Sequence, residues 1–212
     1  MTGIAKMWLG LGLIYLLMLF WHQPLQGPLT EAEVRTAFGE RYAMMPDSED
    51  RQAARFLDFF ANDDGRPFYM INLNDLPEET PDVEDAARNY GLFMLPRLLS
   101  RASYPVLTSD VIVGLNNTLD AQAADFQRLV VVRYRSRRDF LAIISSTEFG
   151  AAFTHKHASL DGWLSAPATA APLLSVPQVA AIGFLAFGTL ITMLRRRKEA
   201  APSENASVAL ER

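Results

Sequence analysis

The stretch LVVVRYRSRRDFLAIISSTEF, residues 129–149, decides the fold of this chain. Its first part is rich in β-branched side chains and predicts a strand over Phe126–Tyr134. Ser136 follows as a helix cap, ahead of apolar residues at helical spacing that begin with Phe140. A strand that runs directly into an amphipathic helix is a unit of mixed structure. The stretch therefore predicts an α+β domain.

Upstream of this stretch, the sequence predicts two more strands with a helix between them. Pro67–Leu73 is apolar and β-rich, and Thr80 and Pro81 then open a helix with proline at its first position. Tyr104–Leu115 reads as the second strand. The polar segment Asn116–Asp125 fits a hairpin loop that leads into the strand at 126–134.

Downstream, a helical turn over 149–157 leads to a short closing strand over 160–164. The predicted order is β-α-β-β-α-β, which is the ferredoxin-like or split βαβ pattern. An N-terminal helical extension precedes it: Thr30 and Glu33 form a capping box, and a second helix start stands at Asp47.

An apolar segment lies at each end of the chain. Met7–Trp21 carries no charge over 15 residues, and we interpret it as an uncleaved anchor rather than a signal peptide, because no small-residue cleavage site follows. Val176–Leu194 carries no charge over 19 residues and stops at the basic cluster Arg195–Lys198. A buried core helix is the alternative for this second segment, and its terminal position argues against that. Small residues such as Gly183 and Gly188 would let the two helices approach closely.

The basic residues next to these segments predict an orientation. Lys6 and the Arg195–Lys198 cluster lie on the outer sides, whereas no Lys or Arg occurs over 22–34 or 158–194. Positive residues stay in the cytoplasm, so both termini are expected there. The chain would then pass twice through the cell inner (plasma) membrane, with its folded domain on the periplasmic or extracytoplasmic side.

These observations divide the chain into six segments. They are a first transmembrane helix (4–22), a helical lead-in (28–64), a ferredoxin-like α+β domain (66–167), a linker (168–175), a second transmembrane helix (176–194), and a basic stop with a disordered cytoplasmic tail (195–212).

Charge and composition exclude several functions. Residues 22–175 contain 14 Lys and Arg against 21 Asp and Glu, a net charge of −7, so we expect no nucleic acid as a partner. The chain contains no cysteine, which excludes disulfides, thiolate catalysis and cysteine-bound metals. No Ser-His-Asp order, glycine-rich phosphate loop or H-E-x-x-H motif occurs. The sequence therefore identifies no cofactor and no metal site.

The motifs described above resemble the dimeric α+β barrel superfamily, and in particular an uncharacterised bacterial branch of it. The resemblance rests on PFYMINL at 67–73, on the 129–149 stretch, and on His155 soon after, and it covers about residues 66–167. It implies a ferredoxin-like fold and a homodimer whose sheets close into a barrel. Some branches use the barrel cavity for cofactor-free oxygenation, haem chemistry or isomerisation. The branch resembled here implies no particular reaction.

The alternation of side chains between the two faces of each strand suggests candidate ligand-binding residues. Met70, Asn72 and Asn74 share one face of the first strand, and Arg133 lies opposite the apolar face of the third. If the apolar faces pack under helices, Asn72, Asn74 and Arg133 are left to line a cavity and to bind a carboxylate or enol oxygen. The alternative is structural: the asparagines end a strand, and Arg133 pairs with an acid.

His155 is the candidate catalytic residue, together with Arg133. A single histidine serves as a base or binds haem, and Asp161 would orient it. His157 is two residues away, about 200° around a helix, so the two histidines would not jointly bind a metal. A capping or surface histidine, with Asp161 as a turn residue, is the alternative.

Two functions follow from the sequence, and whether the chain is an enzyme is left open. The first is a membrane-anchored domain that binds or assembles a partner or small ligand without catalysis. Its expected partners are membrane lipid, a second copy of the chain and, less specifically, another membrane protein. The second is an oxygenase-like or isomerase-like enzyme that uses the barrel cavity.

Overall fold

The computed structural model describes residues 2–39, 51–112, 126–169 and 175–200. Its helices and strands alternate as the sequence predicts, and the prediction of an α+β fold is confirmed. The helices are α1 Gly3–His22, α2 Glu31–Phe38, α3 Arg51–Ala61, α4 Pro81–Leu99, α5 Arg137–Ile144, α6 Phe149–Ala158 and α7 Val176–Ala200. The strands are β1 Phe68–Asp75, β2 Tyr104–Asp110, β3 Arg128–Tyr134 and β4 Gly162–Ala168.

Several predicted features lie outside the described residues. They are the helix start at Asp47, the hairpin loop Asn116–Asp125, part of the linker and the tail beyond residue 200. The chain divides into two compact units, which we describe separately. One contains residues 21–171, and the other contains residues 1–20 with residues 172–212.

The larger unit is built on one antiparallel sheet with the strand order β2-β3-β1-β4. The two central strands pair so that Phe68 lies opposite Tyr134 and Asn74 lies opposite Arg128. β3 is the strand that the opening stretch predicts, and its last residues are buried. Because directly opposite residues point to the same face of a sheet, this register fixes which side chains share each face.

Helices cover one face of the sheet. The main core on this face joins Phe68, Val132 and Tyr134 of the sheet to Met94 and Leu98 of α4 and to Ile143 of α5. The rings of Phe68 and Tyr134 stack with their centroids 5.1 Å apart. For β1, the sequence-based expectation about the faces was therefore wrong: the face that begins with Phe68 packs under the helices, and the apolar Tyr69–Ile71–Leu73 face does not belong to the core.

The predicted helical lead-in packs on α5 through a second core. This core contains Val34, Leu141 and Phe60, whose side chain is fully buried. The predicted capping box is present, with Thr30 and Glu33 bonded to each other's backbone N–H. Glu33 also bonds Arg138, whose Nη2 donates to the Pro28 carbonyl at 3.0 Å. These contacts hold α2 against the helix that begins at the 129–149 stretch.

The closing strand is longer than predicted. β4 extends to Ala168, whereas the sequence places its end at Leu164 because the following residues are rich in alanine and proline. Pro167 is accommodated because β4 is an outer strand, where a missing backbone N–H leaves no ladder partner unpaired. β2, the other outer strand, ends at Asp110 and has a bulge between Pro105 and Leu107.

In the smaller unit, α1 and α7 are each long and apolar enough to cross a membrane. They contact each other through the Trp8 ring, whose Nε1 donates to Thr192 Oγ1 at 3.3 Å.

The glycine at position 188 makes this contact possible. A Cβ at Gly188 would lie only 2.5 Å from the Trp8 ring, so the glycine provides the space that the tryptophan fills. The rings of Tyr15 and Phe184 meet edge to face at 6.4 Å. One of the small residues named from the sequence, Gly188, therefore lies at the helix contact.

We expect Gly188→Leu to separate the two apolar helices, because the added side chain would occupy the space of the Trp8 ring. The chain has no cysteine, so Tyr15→Cys with Phe184→Cys can be joined by a short thiol cross-linker without background. The cross-linking yield should fall severalfold in Gly188→Leu. Gly183→Leu is the matched control, since a Cβ at Gly183 meets nothing within 4 Å. Equal losses in both variants would contradict the prediction.

Candidate functional site

The structure separates the three residues that the sequence grouped as candidate ligand-binding residues. Asn72 lies opposite Val130 in the β1–β3 ladder, whereas Arg133 lies opposite Tyr69. Asn72 and Asn74 are therefore on the helix-covered face of the sheet, and Arg133 is on the other. Alternation within each strand was predicted correctly, but the register between the strands was not available from the sequence.

Arg133 is the most strongly held polar residue of the candidate site, and only 5% of it is exposed. Its Nη1 donates to the carbonyl oxygen of Ala102 at 2.8 Å. Its Nη2 lies 3.3 Å from the carbonyl oxygen of His22 and 3.4 Å from the Nδ1 of the same residue. Tyr104, its neighbour on β2, places its hydroxyl 2.9 Å from His22 Nε2 and its ring under the guanidinium at 5.5 Å.

Burial governs the electrostatics of this cluster. It lowers the pKa of Arg133, an effect that the neighbouring Tyr104 and Tyr69 partly oppose, and it raises the pKa of Tyr104. Arg133 nevertheless remains a cation, because the guanidinium pKa starts far above neutral pH. Its hydrogen-bond acceptors belong to Ala102 and His22 of the same chain, so the buried guanidinium is already hydrogen-bonded within the protein.

The bond to Ala102 stabilises an unusual backbone conformation. Ala102 has a φ of 49°, in the left-handed region, and is fully buried just after α4. The Ser103 N–H returns to the Leu98 carbonyl at 2.9 Å and ends the helix. Arg133 thus fixes the turn through which α4 enters β2.

The two asparagines have different surroundings. Asn72 accepts a hydrogen bond from Ser165 Oγ at 2.7 Å, and its Nδ2 lies 3.3 Å from the carbonyls of Met70 and Val130. The Oδ1 of Asn74 is shielded from solvent and has no hydrogen-bond partner among the described residues. Trp163 of β4 is the cross-strand neighbour of Asn74. Asn72 is therefore internally satisfied, whereas Asn74 offers a free acceptor.

His155 lies on α6, half-buried, and is brought close to neither asparagine nor Arg133 by any described contact. The backbone N–H of Asp161 donates to the Asp75 carbonyl at 3.1 Å, a cross-strand bond just before β4 begins. His157, on the same helix, contacts the rings of Phe153 and Trp163. Over the described residues 2–39, 51–112, 126–169 and 175–200, no group of three His, Asp or Glu could hold a metal ion.

Sequence reasoning did not assign His22, Tyr69 or Tyr104 to the site. Tyr69 and Tyr104 are the cross-strand neighbours of Arg133 on either side, so correct strand register would have found both. His22 comes from the end of α1, more than a hundred residues earlier, and no local pattern connects it with Arg133.

One concave surface is an open groove of about 440 Å³ between α2 and α5, lined mainly by apolar side chains that include Leu29 and Leu141. None of the candidate site residues lines it.

The second broad surface is the sheet face opposite the helices, which we call the open face. It is apolar, and neither core cluster includes it. Leu107 is 47% exposed and Leu164 is 45% exposed, and the rest of the central part is half-buried. The large apolar residues of the open face are Tyr69, Ile71, Leu73, Leu107, Leu129, Val131 and Leu164, and the buried Arg133 lies on the same side of the sheet.

Comparison with known proteins identifies no activity for this chain. No protein-family model matches the chain, and no curated protein is similar to it. The chain is similar to RPA0582, a protein of unknown function from Rhodopseudomonas palustris, at 21% identity over 59% of this chain and 97% of that chain, with a TM-score of 0.48. The structure of methylated RPA0582 gives 19% identity over 60% and 96%, with a TM-score of 0.49. A hypothetical Arabidopsis thaliana protein gives 13% identity over 52% and 93%, with a TM-score of 0.34.

We expect Arg133→Lys to destabilise the domain by about 3 kcal/mol, because lysine keeps the charge but leaves buried acceptors unpaired. The free energy of unfolding, measured in detergent by urea titration with tryptophan fluorescence, checks this value. Arg66→Lys is the control: Arg66 is exposed, and its change should stay within about 0.5 kcal/mol. Equal stability of the two variants would contradict the role of Arg133 as an internal clamp.

Proposed function

We propose that this chain is a two-pass membrane protein whose extracytoplasmic domain is a non-catalytic binding and assembly module that pairs with a second copy of itself. The observation that carries the proposal is the open face of the sheet. It is an apolar surface next to a buried Arg133 whose hydrogen bonds are already made within the chain.

The arrangement of strands supports a ferredoxin-like domain of the dimeric α+β barrel type. The order β2-β3-β1-β4 is antiparallel throughout, with α4 between β1 and β2 and with α5 and α6 between β3 and β4. This order agrees with the split βαβ pattern, in which helices cover one face of the sheet and leave the other free. A second sheet would cover that free face.

The chemistry of the open face favours a second copy as its occupant. Exposed apolar residues such as Leu107 and Leu164 gain by leaving water, at about 25 cal/mol per Å² buried. The apolar side chains of the open face carry no charge, and the cation on the same side, Arg133, is buried and bonded within the chain, so two apolar patches can meet without placing exposed like charges against each other. Two apolar helices per chain would hold both copies at one membrane surface, which raises their effective concentration.

The enzyme alternative has weaker support. It requires Arg133 and Asn72 to fix one oxygen of a substrate while His155 moves a proton, but the first two residues lie on opposite faces of the sheet. The hydrogen bonds of Arg133 are made to backbone carbonyls. A non-catalytic role does not require Arg133, Asn72 and His155 to meet at one substrate.

The inside-positive distribution of charge supports the proposed orientation. Arg195, Arg196, Arg197 and Lys198 follow the apolar part of α7 within the same helix. Lys6 lies near the start of α1. Moving these charges across a membrane is unfavourable, so the ends of the chain remain in the cytoplasm and the domain crosses.

A reporter protein that fluoresces only when it folds in the cytoplasm tests this orientation. Fused after Arg212, it should fluoresce, and fused after Ser159, it should not, because the second fusion point lies within the translocated domain. A periplasmic reporter at the same two points should give the opposite pattern. Fluorescence after Ser159 and none after Arg212 would overturn the orientation.

Dimerisation predicts a protein mass near twice 23.6 kDa after the detergent contribution is subtracted in light scattering. Leu164→Arg should give a monomer, because it places a charge in the paired face. Leu92→Arg is the matched control: Leu92 is 67% exposed on α4, away from the open face, and its variant should remain a dimer.

Two results would contradict this proposal. A monomeric wild-type chain would remove the paired sheets. A Soret band, or an aromatic compound that co-purifies with the wild-type protein in the same sample, would instead favour the enzyme alternative.

A further inference from the structure

Lysine is rare in this protein, and its distribution is uneven. The chain has three lysines: Lys6 and Lys198 lie beside the apolar helices, and Lys156 is the only one between residues 22 and 175. The other 13 cations of that region are arginines. Arginine is the usual residue for fixed ion pairs, whereas lysine has an amine that can lose its proton and react.

Lys156 lies in an aromatic cluster at the end of α6. Its Nζ is 4.6 Å from the centroid of the Trp163 ring on β4. Trp163 also meets the ring of Phe153 at 5.9 Å and the ring of His157 at 4.8 Å. Phe149 stacks on Phe153 at 5.5 Å and extends the apolar surface along the helix. The amine therefore faces rings rather than charged groups.

No carboxylate pairs with Lys156 among the described residues, although acidic residues outnumber basic ones in the domain. Burial alone lowers the pKa of its amine to about 8. The cause of this shift is the removal of the ammonium group from water among aromatic rings. At neutral pH, the share of free amine is then roughly 300-fold larger than for a lysine of ordinary pKa 10.5.

Asn74 places a second functional atom in the same neighbourhood. It is the direct cross-strand neighbour of Trp163, on the face that α6 covers. Its Oδ1 is shielded from solvent and has no hydrogen-bond partner within the part of the chain that the structure describes. A buried acceptor without a partner costs free energy, which a bound molecule with a hydroxyl or N–H group would recover.

We propose that Lys156 is a nucleophilic amine that captures an aromatic aldehyde against Trp163. This site is separate from the open face, and the proposal goes beyond the assembly function described above. The neutral amine attacks the carbonyl carbon, a C–N bond forms, and the nitrogen proton moves to the carbonyl oxygen to give a carbinolamine. The C–O bond then breaks, and the hydroxyl leaves with the remaining nitrogen proton as water, which gives an imine. The aromatic ring of the aldehyde packs beside Trp163 and Phe153, which supplies the preference for an aromatic compound.

Reductive labelling of the full chain in detergent tests this proposal. Benzaldehyde and cyanoborohydride are added at neutral pH, with free Nα-acetyl-lysine as an internal reference, and peptide mass spectrometry gives the rate at each lysine. Lys156 should react at least about tenfold faster than the reference, because the lower intrinsic nucleophilicity of a weaker base offsets only part of the gain in free amine. Lys6 and Lys198 should react at about the rate of the reference. Equal rates at all three lysines would overturn the proposal.

Three variants separate the site from general accessibility. Lys156→Arg should abolish labelling at that position and leave Lys6 and Lys198 unchanged. Trp163→Phe keeps an apolar ring and should retain most of the rate enhancement, whereas Trp163→Ala exposes the amine and should reduce the rate to that of the reference. An unaltered rate in Trp163→Ala, with a native circular dichroism spectrum, would overturn the role of the aromatic cluster.

The pH dependence of labelling in the wild-type chain gives a test that needs no variant. The rate at Lys156 should reach half its maximum near pH 8. A midpoint near the ordinary lysine value would overturn the proposal even if Trp163→Ala fails to fold. Because these readouts are taken at one residue, they remain informative whether the chain is a dimer or a monomer.

Discussion

The structure of the larger unit depends on how it accommodates arginines at the end of its central strand. Arg133, Arg135, Arg137 and Arg138 follow one another where β3 passes into α5, and a cation removed from water without partners costs several kcal/mol. The partners come from distant parts of the chain. Arg133 and Arg135 bond the carbonyls of His22 and Trp21, and Arg138 bonds Glu33 and the carbonyls of Gly27 and Pro28. The N-terminal extension is thus attached to the sheet by hydrogen bonds as well as by its phenylalanines.

The same arginines explain why the 129–149 stretch predicts so much of the fold. β-branched residues determine the strand, Ser136 caps the helix through the Asp139 N–H, and Arg135 and Asp139 form a bidentate pair at 2.8 Å. These features are local, so they can be read from neighbouring residues. The capping box at Thr30 and the apolar end helices were predictable for the same reason. The end of β4 was not, because the tolerance of an outer strand for Pro167 depends on its place in the sheet.

The candidate site was harder to predict because it depends on contacts between strands. Alternation gives the two faces of each strand but not their pairing, and a shift of one residue exchanges the faces. This is why Asn72 was grouped with Arg133, although the register places them on opposite sides. The environment of Lys156 is also non-local: the H-K-H motif is visible in the sequence, but the nearness of Trp163 follows only from the packing of α6 on β4. His22 could not be assigned for the same reason.

The prolines of the outer strands have a consequence for how neighbouring copies of the chain meet. An exposed strand edge can add the strand of a neighbouring molecule, and repeated addition leads to a continuous intermolecular ladder. Pro105 in β2 and Pro167 in β4 each remove a backbone donor from an outer strand, and the bulge after Pro105 interrupts the regular spacing further. Edge-to-edge growth is therefore disfavoured on both sides of the sheet. Copies of the chain are thereby protected from fibrillar association while the apolar sheet face stays available.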